Sequence, residues 1–196
     1  MHPFKHFKTI LKHKYWVGKY CFKCGIPMRG ILHDMSKFSP MEFWESAKYY
    51  QGTSSPIDAC KKANGYSKAW MHHKGRNSHH YEYWQDNFDN GGTPLPMPFE
   101  DSLEMLCDYL GAGRAYMGKN FSYEAEYNWW LKKKENPLAM HTINKCFITN
   151  VLKELATTDK EKDILNYKYL KLQYRQFYVG WNMMFKIAKE GEKTNA

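Results

Sequence analysis

YKYLKLQYRQFYVGWNMM, residues 167–184, sets Tyr167, Leu170, Tyr174, Phe177, Trp181 and Met184 alternately three and four positions apart. That spacing returns side chains to one face of an α-helix and to no face of a strand. The stripe would suit a dimer seam or an aromatic wall for a base, but packing against a core explains it more simply. Working back, Ile148, Val151, Leu152 and Leu155 repeat the same spacing. Residues 99–117 read as a further helix, with Asp108 in the mostly apolar run from Leu103 to Leu110. No convincing strand pattern occurs anywhere, so the expected fold class is all-α.

The N-terminal third reads the same way. Residues 3–24 form a rough helical face through Ile10, Leu11, Tyr15, Gly18 and Phe22, ended by Gly25-Ile26-Pro27. A second, more apolar helical run reaches about Lys37 and carries His33-Asp34. Ser39 and Pro40 open a third helix, with Glu42 completing a capping box. Residues 51–66, rich in Gly, Ser and Asn, are expected as loop. A helix over about 67–74 stops near Gly75, and Ser78 is placed to cap another beginning at His79. Three prolines within Pro94-Leu-Pro-Met-Pro98 force an extended connector.

The chain has 196 residues, 43% of them apolar and 17% aromatic, which fits one folded domain over 1–196 and excludes disorder for most of its length. The 29 Lys and Arg against 20 Asp and Glu give a net charge of +9, a surface that attracts anions. No apolar stretch approaches the roughly 18–20 residues of a membrane helix, and the N-terminus lacks a signal-peptide core. A cytoplasmic protein with no membrane partner is therefore expected. Five cysteines without framework spacing suit a reducing compartment, and the lone pair Cys21 and Cys24 is read as two small buried residues.

Six of the nine histidines lie at His13, His33 and the doublets His72-His73 and His79-His80. Imidazole ligates metal near neutral pH, and a hydrolytic site also needs carboxylates. Asp34 and Asp108 supply them. An Asp in the apolar surroundings of Asp34 is costly to bury unless paired or bound to metal. On a helix, adjacent His33 and Asp34 would lie about 100° apart and could share one cation. Within the first doublet His73 is taken as the ligand. His79 and His80 serve as ligand and substrate contact in either order, His79 being taken as the ligand.

His13, the run HDMSKFSPMEFW at 33–44, AWMHHKGRNSHHYEYW at 69–84 and EMLCDY at 104–109 together resemble the ordered signature of the HD superfamily. The fuller pattern is similar to a family of bacterial and phage proteins, over residues from about 10 to 118. The resemblance implies an HD-like helical bundle holding one or two divalent ions (Mn, Fe, Co, Ni, Mg or Zn), with further helices over about 119–196 packed on it. It implies His13, His33, Asp34 and Asp108 as core ligands, with His73 and His79 completing a second metal. The activity it implies is hydrolysis of a phosphate ester.

On that reading Asp34 holds or bridges the metals and orients water. Lys37, Arg76, Asn77 and His80 are candidate substrate contacts. Lys37 also follows the HD pair as a basic residue does in many members, and Glu42 is a candidate general base. The expected partner is a small phosphorylated anion, foremost a nucleotide. A nucleoside monophosphate, a dinucleotide signal, a guanosine polyphosphate and a sugar phosphate all fit. Two rivals stand beside it: a di-iron, oxygen-activating centre on the same residues, and a basic module that binds nucleotide or nucleic acid without catalysis. A second copy of the chain is a further candidate partner.

Overall fold

Proline and serine punctuate the first half of the molecule. In the computed structural model, which describes residues 1–135 and 139–194, with side chains at 1–134 and 139–187, four helices open on a proline. These are α1 (Pro3–Lys23), α2 (Pro27–Leu32), α3 (Pro40–Lys48) and α4 (Pro56–Asn64). Proline costs nothing there, because the first helical N–H has no partner to lose. The Ser39 hydroxyl accepts from the Glu42 amide at 3.4 Å, but the expected capping box is only half made: the Ser39 N–H donates to the Ser36 carbonyl, and the Glu42 carboxylate turns to His72 and His73. The Ser67 hydroxyl likewise accepts from the Trp70 amide at the head of α5 (Lys68–Lys74).

Three further expectations are corrected. Residues 51–66 are not all loop: Ser55 caps α4, and Gly65, at φ 81°, closes it in the left-handed conformation. The helical run does not continue to Lys37. α2 ends at Leu32, and a separate 3-10 turn covers Met35–Phe38. No helix begins at His79. The Ser78 hydroxyl donates to Asp101 at 2.5 Å instead of capping, and the chain turns into a 3-10 segment at Tyr81–Tyr83.

A two-residue antiparallel pair follows, β1 (Gln85–Asp86) against β2 (Thr93–Pro94), closed through Gly91 and Gly92. It corrects the expectation of no strands, though the fold is all-α. The connector after β2 leads into α6 (Phe99–Met117), then α7 (Tyr123–Glu135), α8 (Thr142–Thr157), α9 (Glu161–Ile164) and α10 (Tyr167–Thr194).

α6 runs through the middle, with Leu103, Leu106, Cys107 and Leu110 fully buried. One hydrophobic cluster extends from Val17 to Tyr174, so α7 to α10 share their core with α1 and α6, and no side chain of α2 to α5 enters it. The α10 stripe packs on this core through Leu170 and Tyr174, with Tyr167, Phe177 and Trp181 half-buried, while Met184 is 70% exposed. Cys21, Cys24 and Cys107 are free, buried thiols in the same core. Among the described residues no helix is long and apolar enough to cross a membrane.

Candidate metal centre

Two close helix crossings place the first donors. A Cβ on Gly111 of α6 would lie 2.4 Å from Val17 Cγ2 and 2.7 Å from Val17 N of α1. Only glycine allows this approach, and one turn away on each helix stand His13 and Asp108. Gly30 of α2 meets α1 as tightly, its imagined Cβ 2.6 Å from Cys21 Cβ. α2 thereby delivers His33 and Asp34 to the same place.

His33 and Asp34 do not sit on a helix, contrary to the sequence expectation. His33 is extended (φ −49°, ψ 130°) and Asp34 left-handed (φ 55°, ψ 27°), a conformation that Asp and Asn tolerate better than most residues. This corner turns both side chains inward and leaves them wholly buried.

The donors gather in two clusters that share Asp34, with a third group, His33, His79 and Glu104, beside them. His13 Nε2 lies 3.2 Å from Asp34 Oδ2, 3.1 Å from Asp108 Oδ1 and 3.4 Å from His33 Nε2. His33 Nε2 lies 3.2 Å from Asp34 Oδ2 and 3.5 Å from Asp108 Oδ1. The other Asp34 oxygen, Oδ1, faces His73 Nε2 at 3.2 Å and His79 Nε2 at 3.3 Å, and His80 Nε2 joins them 2.9 Å from His73 Nε2. An ion with ligands at about 2.0–2.1 Å holds them roughly 2.9 Å apart at octahedral corners and about 3.4 Å apart at tetrahedral ones. Both clusters match that range. Asp34 Oδ1 and His79 Nε2 are buried without a hydrogen-bond partner, a costly arrangement that a cation between them would relieve. Two nitrogen- and oxygen-rich pockets sharing one carboxylate fit a pair of divalent ions.

Carboxylates behind the imidazoles settle which ring nitrogen faces the centre. Glu104 Oε1 lies 2.9 Å from His33 Nδ1 and 3.2 Å from His79 Nδ1. Glu42 Oε2 accepts from His73 Nδ1 at 2.8 Å, and Glu42 Oε1 from His72 Nδ1 at 2.6 Å. A carboxylate only accepts, so each Nδ1 carries the proton and Nε2 presents its lone pair.

The electrostatics agree. Burial would raise the Asp34 carboxyl, but His33, Lys37 and His73 hold it well below the usual carboxylate range. Burial opposes charge on His33, yet Asp34, Asp108 and Glu104 raise it well above its ordinary value. Glu104 is brought down to about 2, burial notwithstanding, by His33 and His79. The centre attracts positive charge, proton or metal alike.

A cavity of about 380 Å³ opens beside the donors, with His13, His73, His80 and Asp108 in its wall. Lys37 lines it and pairs with Asp34 Oδ2. Of the other expected contacts, His80 stands among the second cluster's donors. Glu42 is held by His72 and His73, so it backs a candidate donor, His73, rather than standing free as a base. Asn77 does not line the cavity; its amide donates to Ser36 Oγ at 2.9 Å and the His73 carbonyl at 2.7 Å. Arg76 is exposed and outside the cavity wall.

Sequence reading missed Glu104, which looks like an ordinary charge on an apolar helix. It also missed Lys61 and Lys133, which line the cavity over tryptophan rings, Lys61 at 4.8 Å from Trp70 and Lys133 at 5.0 Å from Trp129. His6 was missed too: it is buried in the same wall, brought down to about 4 by burial and then by Lys37, and therefore neutral. Its place one helical repeat before His13 was the available signal.

The model of a family of unknown function, DUF5662, matches residues 2–154. The chain belongs to DUF5662. Every donor of both clusters lies within the matched stretch of this DUF5662 protein, while α9 and α10 lie beyond it. No curated protein and no solved structure matches the chain.

Proposed function

We propose that this DUF5662 protein is a metal-dependent phosphohydrolase of HD type, acting on a phosphate ester and foremost on a nucleotide. The observation that carries the reading is the pair of donor clusters sharing Asp34 at the wall of a cavity. Bound there, one or two divalent ions would supply a water of lowered pKa and positive charge for the phosphoryl oxygens.

The chain's own residues divide the remaining work. Asp34 would offer one oxygen to each ion, with His13, His33 and Asp108 completing one set of donors and His73, His79 and His80 the other. Lys37, half-buried, is held charged by Asp34 and Asp108, so it offers a fixed point charge to a phosphate rather than a proton. Trp70 and Trp129, each beneath a lysine, are flat walls suited to a base ring, and Lys61 and Lys133 add to the attraction for an anion. Arg76 and Asn77 take no part in this scheme, because neither reaches the cavity.

Metal content per chain is the first test, for the wild type beside folded Asp34→Ala and His33→Ala variants. One or two transition ions in the wild type, lost in the variants, together with release of phosphate from nucleotides, is the expected result. A protein that stays metal-free after reconstitution with Mn, Fe and Zn overturns the proposal and leaves a basic binding module. The same donor set suits iron, so a coloured, iron-loaded protein without phosphatase activity would redirect the reading to oxygen chemistry.

A further inference from the structure

Glu104 lies outside both ligand sets and yet touches both. Its Oε1 is 2.9 Å from Nδ1 of His33, whose Nε2 faces the first cluster, and 3.2 Å from Nδ1 of His79, whose Nε2 faces the second. The two imidazoles lie close together, ring centroids 4.4 Å apart. Its other oxygen accepts from Arg29 Nη1 at 3.0 Å, and the same Arg29 nitrogen donates to Asp101 at 2.8 Å. Asp101 in turn receives the Ser78 hydroxyl, the residue just before His79. One carboxylate on α6 therefore sets the angle and the tautomer of a histidine from each cluster, braced by an arginine from α2.

Glu42 makes a useful contrast. Its imidazole partners, His72 and His73, include a donor of the second cluster only.

We infer that Glu104 is a positioning residue common to both metal sites, and that through it the two ions bind as a coupled pair. The inference rests on the metal-binding part of the proposed function and needs nothing of its substrate. When one ion draws His33 Nε2 into ligation, the ring orientation is held through Glu104 Oε1. The same oxygen then stands correctly placed for His79, so the second site is partly organised before it fills. Asp34, which gives one oxygen to each cluster, adds to the coupling. Removing the outer partner of a ligating histidine typically lowers metal affinity about 10- to 100-fold. For Glu104 that loss falls on both sites, and for Glu42 on one.

Titration of the demetallated protein with Mn, read by calorimetry and by metal content after gel filtration, distinguishes these outcomes. The wild type is expected to take up two ions. Glu104→Ala is expected to weaken both by about 10- to 100-fold, and Glu42→Ala to weaken one and leave a single tight ion. Glu104→Gln preserves the size and one acceptor oxygen but turns an amide N–H₂ towards Arg29 or the histidines. It is expected to fold and to weaken both sites by a smaller factor, which keeps the test open should the alanine variant fail to fold. If Glu104 variants lose one ion only, or retain both at wild-type affinity, the shared role is overturned. A wild type that binds no ion removes the inference together with the proposed function, whereas one that binds two ions but releases no phosphate removes the proposed function alone.

Discussion

Glu126 on α7 and Asp34 at the candidate metal centre are both buried carboxyl groups, and their pKa values shift in opposite directions. Asp34 is surrounded by His33, Lys37 and His73 and stays ionised. Glu126 is pushed up to about 7, first by burial and then by Asp108, with Lys133 only partly offsetting them. Its Oε2 fills the space beside Gly113, where a Cβ would come within 2.1 Å of it. A group whose folded pKa exceeds its unfolded value of about 4.5 binds its proton more tightly when folded. Its contribution to stability is therefore complete below about pH 4.5 and is lost as pH rises through about 7. Glu126→Gln keeps the neutral form at every pH. It is expected to melt with the wild type at pH 4.5 but to be more stable at pH 8, by about 1–3 kcal/mol. Thermal melts in chelator at the two pH values check this, and an equal difference at both would show that ionisation of Glu126 does not set the pH dependence. At this scale the candidate donors were legible, because four histidines within nine residues, with His33 beside Asp34 earlier in the chain, make an uncommon grouping. Glu104 was not, since its meaning lies in what reaches it from α2 and from the turn after α5.

Elements were legible where they carry a repeat and obscure where they turn. α1, α6 and the paired serine and proline of α3 follow from spacing and capping. The same Ser-Pro start opens α4, but Gly52-Thr-Ser-Ser before it and Gly65 after it mask the helix as loop. The His33-Asp34 corner has no glycine or proline to announce it, and the strands at Gln85 and Thr93 are too short to show alternation. What spacing does not reveal is how closely two helices approach. Gly111→Ala places a methyl against Val17 backbone, which cannot yield as a side chain tip would. Overpacking of this kind costs about 1–3 kcal/mol, against at most about 1 kcal/mol gained in helix propensity. α1 is expected to move away from α6, widening the 3.1 Å separation of His13 and Asp108. The variant should therefore melt lower and lose metal from the first cluster before the second. Gly180→Ala in α10 meets nothing within 4 Å and should melt no lower than the wild type. A similar loss of metal in both variants would disconnect the crossing from the site.

Across the whole molecule, the all-α class was legible from periodicity, but the uneven distribution of buried charge was not. The donors and their outer partners, among them His13, His33, Asp34, Glu42, Glu104 and Asp108, are buried together. They come from α1, the corner after α2, α3, α5 and its following turn, and α6. α8 and the buried part of α10 pack through Phe147, Ile148, Leu152 and Leu170 instead. The molecule thus has one part held by apolar contact and another in which buried groups of like and unlike charge meet. A ligand that binds only the folded state stabilises it by about 2.7 kcal/mol at a hundredfold excess over its Kd. For a domain of this size 1 kcal/mol corresponds to roughly 2–4 °C in Tm, so chelation is expected to lower the Tm by about 5–10 °C per tightly bound ion. The loss should be local. Hydrogen exchange after chelation should speed up in α2, α5 and the segment around His79, and leave α8 unchanged. Asp34→Ala removes the shared carboxylate, so its Tm should no longer respond to chelator. A response in that variant equal to the wild type's would place the stabilising ion away from Asp34, and uniform exchange through α8 would show that the two parts unfold as one.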